Sequence, residues 1–414
     1  MIIKNTDRAL SLIACLIPLA LLTGSFLPDL FIVLINILFL YIVFKKKDFI
    51  YFNNIFFKFF LTFYIYLIFS SLISEFPFFS LKSSLVYIRF GIFSIAIWYI
   101  IENNKSFLKL FTYSLFFAFS IAILNGYYQY IFNETIFGGS IPADRLLLLF
   151  SEKAALGNYL ARLFPFLMAM YLIFFKKSNF SILILLLIFI FLDVLIFLSG
   201  ERTALGLLMF SSLFILLMVN SFQKLRLISI LVSLLIISAI SIFSPSIKER
   251  NIDYTINQLG LNQGVENLTI FSHVHEAHIF TAYNMFKKNY LFGVGPNNFR
   301  NLCDDKNYKN GDRACSTHPH HLYIQLLAEV GLIGFLFFSI PISYLLYNIY
   351  IHLIYKYFNR MTILSDYQIC LIAAFLCTIF PFLPSFNFFN NWINIIFYLP
   401  VGFFLREVYS FKDT

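Results

Sequence analysis

The chain is 414 residues long, 60% hydrophobic and only 12% charged, with 56 phenylalanines and a mean hydropathy of +0.81. Soluble domains carry about a quarter charged residues, so a soluble globule is excluded and a polytopic membrane protein is expected. The net charge of +9 is spread over many short loops rather than gathered on one soluble face, which argues against nucleic-acid binding.

The apolar runs are about 16–25 residues long, matching the roughly 20 that a helix needs to cross the hydrocarbon. Barrel strands would be about half that length and alternating. Within the bilayer each span must satisfy its own backbone groups, so the expected fold class is all-α. Twelve spans are expected, at 9–24, 27–44, 55–73, 84–101, 108–131, 154–175, 179–199, 201–219, 225–243, 322–350, 363–384 and 390–406. The first is read as an uncleaved anchor, because a second apolar run follows at once and no small-residue cleavage site intervenes.

Lysine and arginine set the orientation. With a cytoplasmic N-terminus, every inside segment is basic: Lys4 and Arg8, Lys45 to Lys47, Lys105 and Lys109, Lys176 and Lys177, Lys224 and Arg226, Lys356 and Arg360, and Arg406 and Lys412. The short outside loops are poor in positive charge, so both termini are expected on the cytoplasmic side. The organisation expected is one integral membrane domain: residues 1–243 as nine spans, 244–321 as an outer cap, and 322–414 as three spans and a tail. A second outer loop, 132–153, carries Arg145 and Lys153.

Within the cap, Asn267 to Lys288 reads as a helix, since Phe271, Val274, Ala282 and Met285 recur at three- and four-residue steps. His275 and His278 share its face and His273 does not. Gly293 to Pro296 then turns the chain back toward the bilayer. Cys303 and Cys315 flank a polar outer loop, where an oxidising compartment would let them pair as a disulfide. Cys15, Cys370 and Cys377 lie in spans and read as packing residues. A zinc site built from His275, His278 and a cysteine lacks the usual paired spacing, so no metal is expected.

Arg202, in Ser199-Gly200-Glu201-Arg202-Thr203, stands at the outer junction of two spans, where a charge is costly without a partner. Its planar fork suits phosphate oxygens, and a salt bridge to Glu201 or Glu329 or snorkelling to headgroups would also account for it. Arg145, Arg162 and Arg300 lie on the same side, and together they suit a diphosphate. Arg89 is a fifth candidate or a structural anchor. The densest cluster is Thr317-His318-Pro319-His320-His321, at the mouth of the tenth span. Imidazole titrates near neutral pH, so histidines fixed there suggest acid–base work on a substrate arriving through the lipid. From His321, Gln325 and Glu329 follow at four-residue steps along one stripe, which carries a carboxylate into the membrane beneath the cluster.

The run His318-Pro319-His320-His321-Leu322-Tyr323-Ile324-Gln325-Leu326-Leu327-Ala328-Glu329-Val330-Gly331 resembles the histidine signature of the O-antigen ligase and polymerase superfamily. Ser199 to Ala204 is similar to that family's S-G-S-R turn, and Phe292 to Phe299 to its G-x-G-P-x-x-F element. The resemblance covers about residues 140–345. His321 stands where the family usually has asparagine.

The resemblance implies an all-helical membrane glycosyltransferase of the bacterial inner membrane, working on the periplasmic face without a cofactor or a required metal. Its partners would be an undecaprenyl-diphosphate-linked glycan donor, a lipid A-core or lipid-linked glycan acceptor, and membrane lipids. Arg202 and Arg145, with Arg300 behind them, would hold the diphosphate. His320 would take the proton of the attacking hydroxyl, His318 would orient it, and Glu329 would fix a histidine or an arginine. His275, His278 and His321 would support them. Direct attack would invert the anomeric centre. A ligase is favoured over a polymerase. A secondary transporter fits the span count too, but it would gather its charges near the midplane.

Overall fold

The computed structural model describes residues 2–141, 145–150, 153–174, 179–258 and 271–409. Among them every regular element is helical. The first spans form α1 (Ile2–Cys15), α2 (Ile17–Leu21), α3 (Phe26–Lys46), α4 (Ile55–Leu72), α5 (Pro77–Ser84), α6 (Ile88–Asn103) and α7 (Phe107–Phe132). Next come α8 (Leu156–Phe174), α9 (Asn179–Leu198), α10 (Arg202–Met218) and α11 (Gln223–Phe243). Among the described residues the expected cap holds the α-helices α12 (Pro245–Lys248), α13 (Tyr254–Gln258), α14 (His273–Lys288) and α15 (Phe299–Leu302), with a π-helical turn between the first two. The chain then re-enters through α16 (Leu322–Phe358), α17 (Asp366–Thr378) and α18 (Asn391–Tyr409).

Helix falls within each of the twelve expected spans, though the first is divided between α1 and α2, and the chain is a multi-pass membrane protein. Eight of the described helical stretches are long and apolar enough to cross a bilayer, whereas Arg202–Met218 and Asp366–Thr378 are shorter apolar helices. Packing sorts them. In α8 every residue from Leu156 to Tyr171 is buried, the mark of a helix surrounded by others. α11 instead exposes Leu231, Leu234, Leu235 and Phe243, an apolar face whose natural solvent is lipid.

Three expectations change on folding. Arg226 is not a loop charge: it is 1% exposed, and its guanidinium forks onto Asp193 at 2.8 and 2.9 Å. Ser212, Ser229 and Ser233 complete the network. The eleventh span stops at Thr378 rather than 384, because Pro381 and Pro384 cannot continue a helix, and residues 379–390 fold back as a loop. The tenth span is longer than expected, reaching Phe358, and is broken at Gly331 (φ 67°, ψ −172°). The freed backbone finds partners in the cap. The Val294 and Gly295 N–H groups donate to the Ala328 and Glu329 carbonyls at 2.8 and 2.9 Å. Leu332 N–H donates to Tyr290 O at 2.9 Å. Non-helical backbone at such depth is tolerated where protein covers it.

Candidate active site

The site is assembled from the cap helix α14, the turn before α16 and the loop 379–390. Helix α14 starts at His273, later than the sequence pattern suggests, because Ser272 caps it. Residues 267–270 lie outside the described residues. Its face carries His275 and His278 inward, and His273 points to solvent with a side chain 89% exposed. The disulfide joins Cys303 to Cys315, tying the polar loop down just before the histidine turn.

Four imidazoles meet there. Ring centroids lie 4.1 Å apart for His318 and His320, 4.9 Å for His275 and His320, 5.6 Å for His278 and His320, and 6.3 Å for His275 and His278. Among the described residues no group of three or more His, Cys, Asp or Glu side chains is arranged to hold a metal ion. His320 has a positive φ of 57°, a left-handed conformation uncommon outside glycine and a frequent companion of functional turns.

Ser385 fixes both members of the signature. Its carbonyl accepts from His318 Nε2 at 3.1 Å, and its N–H donates to the His320 carbonyl at 2.8 Å. With Nε2 donating, His318 Nδ1 is an acceptor and takes the Thr317 hydroxyl at 3.0 Å. Both nitrogens of His318 are thus engaged. His320 differs: Nε2 faces Ser316 Oγ at 3.1 Å, and its Nδ1 makes no hydrogen bond with a described residue. One nitrogen of His320 is therefore open to an incoming hydroxyl.

Burial keeps these rings neutral. It pushes His318 down to about 4, helped by the charges of Arg300 and the neighbouring histidines and opposed by the Ser385 carbonyl. It pushes His320 down to about 3, helped by His318, His275 and His278. His275 is lowered by burial, then by His278 and Arg202, and His278 by burial. His321 stands apart as a helix cap, its Nδ1 accepting the Ile324 N–H at 3.3 Å. An asparagine at this position would make the same kind of bond.

The arginines divide. Arg202, at the first turn of α10, lays its guanidinium over the Tyr254 ring at 5.1 Å and is near enough to His275 to disfavour its charging. Arg145 is exposed, within electrostatic reach of Arg202. Arg300 is exposed, bonds Asn297 Oδ1 at 3.1 Å and acts on His318. Arg202 and Arg300 thus lie within electrostatic reach of the cluster, and Arg145 within reach of Arg202. Arg162 is fully enclosed and donates to the Cys377 and Thr378 carbonyls at the end of α17, and Arg89 pairs with Asp29 at 3.0 Å, so both are structural.

Neither carboxylate considered for Arg202 is directed to it. Glu201 accepts the Gly157 and Asn158 N–H groups at 2.7 and 3.2 Å, closing the N-terminus of α8. Glu329 accepts Phe299 N–H at 3.0 Å and Gln325 Nε2 at 2.9 Å. Among the described residues it bonds no histidine and no arginine directly. Its network runs from Gln325 to Asn387, from Asn387 to Asn297 and from Asn297 to Arg300. Ser385, Asn387 and Asn297 are site residues that the sequence pattern alone did not single out. The Pro381-x-x-Pro384 break followed by polar residues in an apolar stretch was the available signal for Ser385 and Asn387.

Residues 182–339 match the family model described as O-Antigen ligase. That segment runs from α9 through the histidine turn to beyond the break in α16, and so contains Arg202, all four clustered histidines and Glu329. A comparison with curated proteins finds no match.

Proposed function

We propose that this chain, whose residues 182–339 match the family model described as O-Antigen ligase, is a glycosyltransferase-type membrane enzyme and, within that class, a ligase. It moves a glycan from undecaprenyl diphosphate to a hydroxyl of a lipid A-core acceptor, on the periplasmic face of the inner membrane. The observation that carries this reading is the contrast between His318, engaged at both nitrogens, and His320, open at one.

In this reading Arg202 and Arg145, with Arg300 beside them, bind the diphosphate. Their positive charge stabilises the negative charge that grows on the leaving phosphate as the anomeric carbon–oxygen bond breaks. His320 Nδ1 takes the proton of the acceptor hydroxyl as its oxygen bonds to the anomeric carbon, a contribution of about 10²–10⁴ in rate. The configuration inverts because attack and departure occur on opposite faces. His318 is a positioning residue, held by Ser385, and Glu329 fixes the α15 junction that carries Arg300.

Purified chain reconstituted with a labelled polyprenyl-diphosphate glycan tests the assignment. Label appearing on lipid A-core supports the ligase, and label appearing on a second lipid-linked unit makes the chain a polymerase. Movement of the donor across the membrane without any glycosidic product would make it a transporter.

A further inference from the structure

Beyond α11 the chain turns through α12, one π-helical turn (Glu249–Asp253) and α13. Asn251 Nδ2 donates to the Phe197 carbonyl at 3.0 Å, seating this segment on the end of α9. The segment frames an open cavity of about 410 Å³ lined by Lys248, Glu249, Asp253, Tyr254 and Asn257. Tyr254 is the residue whose ring carries the Arg202 guanidinium at 5.1 Å, so the cavity adjoins the arginine cluster. Among the described residues, the side chains of Lys248, Glu249 and Asp253 make no hydrogen bond or ion pair. Their donors and acceptors are open to a ligand.

The lining says what kind of ligand. A diphosphate would meet two carboxylates, Glu249 and Asp253, and be repelled. An apolar tail would strand three charges. A neutral polyol fits: each sugar hydroxyl both donates and accepts, matching an ammonium and two carboxylates, and the C–H face of a pyranose packs on a tyrosine ring. The volume falls within the roughly 300–1,000 Å³ of ordinary ligand pockets. We propose that this cavity is a glycan subsite that binds the donor sugars next to the diphosphate. The proposal rests on the reading that Arg202 holds that diphosphate.

The test uses the reconstituted full chain and the double variant Glu249→Gln/Asp253→Asn, which keeps size and shape while removing both carboxylates. With donor and acceptor varied separately, the donor KM rises roughly tenfold while kcat and the acceptor KM stay unchanged, the result of weakened polar contacts made equally in ground and transition states. An unchanged donor KM, or a rise in the acceptor KM instead, overturns the proposal. Calorimetry with soluble oligosaccharide hydrolysed from the donor separates it from the reaction itself. If the wild-type chain forms no product, the transferase reading fails. Binding of that oligosaccharide by wild type and its loss in the variant would still support the subsite, and equal binding or none in both would overturn it.

Discussion

His318 donates through Nε2 to the Ser385 carbonyl at 3.1 Å, and so the loop after α17 sets the angle of a ring that belongs to the mouth of α16. Because the same serine's N–H holds the His320 carbonyl, the turn is clamped on both sides. The expected outcome is that His318→Ala lowers kcat by about 10–100-fold through misplacement, and that His318→Gln, which can still donate to Ser385, recovers part of the loss. Steady-state kinetics of the two variants checks this, and equal loss in both would speak against a positioning role.

The pH dependence follows from burial. The His320 ring is pushed down to about 3 and His318 to about 4, below the usual histidine value of about 6.5. Between those values the unfolded chain binds more protons than the folded one, so stability rises with pH across that window and falls as pH drops below about 6.5. The free-enzyme profile, kcat/KM, should therefore lack a limb near pH 6.5 and fall only in more acidic solution. A bound diphosphate favours imidazolium, so the acidic limb of kcat should lie higher than that of kcat/KM. A kcat/KM limb centred at 6.5 would contradict the buried, neutral base.

The Asp193–Arg226 pair joins α9 to α11 with both groups buried. Removing one partner leaves an uncompensated buried charge, so Arg226→Met alone should cost about 3–5 kcal/mol, and adding Asp193→Leu should restore most of it. Thermal unfolding in detergent of the two single variants and the double variant measures the coupling. Additive losses would mean that the pair contributes nothing as a unit.

Gly331 is where α16 must break. With φ at 67°, a Cβ there would also sit 2.3 Å from the Leu291 carbonyl oxygen, so the cap backbone could not approach. Gly331→Ala should sharply lower the yield of folded protein, whereas Gly138→Ala, with nothing within 4 Å of the added carbon, meets only its positive φ and should be far milder. Size-exclusion profiles of the two variants check the difference, and equal profiles would remove the argument for backbone docking.

The spans were legible because length and hydropathy decide what crosses a bilayer, and the histidine turn because polar groups at a membrane mouth are few. Hydropathy says nothing of pairing, so Arg226 looked like a loop charge until Asp193, distant in sequence, came beside it. Glu329 was legible as a costly buried carboxylate, but its partners depend on how α15 docks, which no periodicity reports. Ser385 was hidden because its contribution is made by the main chain, which every residue shares.

The most direct test is the transfer rate of the reconstituted chain with His320→Ala and Arg202→Ala, measured separately at equal protein levels. His320→Ala should lower kcat by about 10²–10⁴ with the donor KM little changed. Arg202→Ala should lower kcat and weaken donor binding together. Wild-type rates in both variants would contradict the assignment of imidazole as base and guanidinium as the holder of the leaving diphosphate.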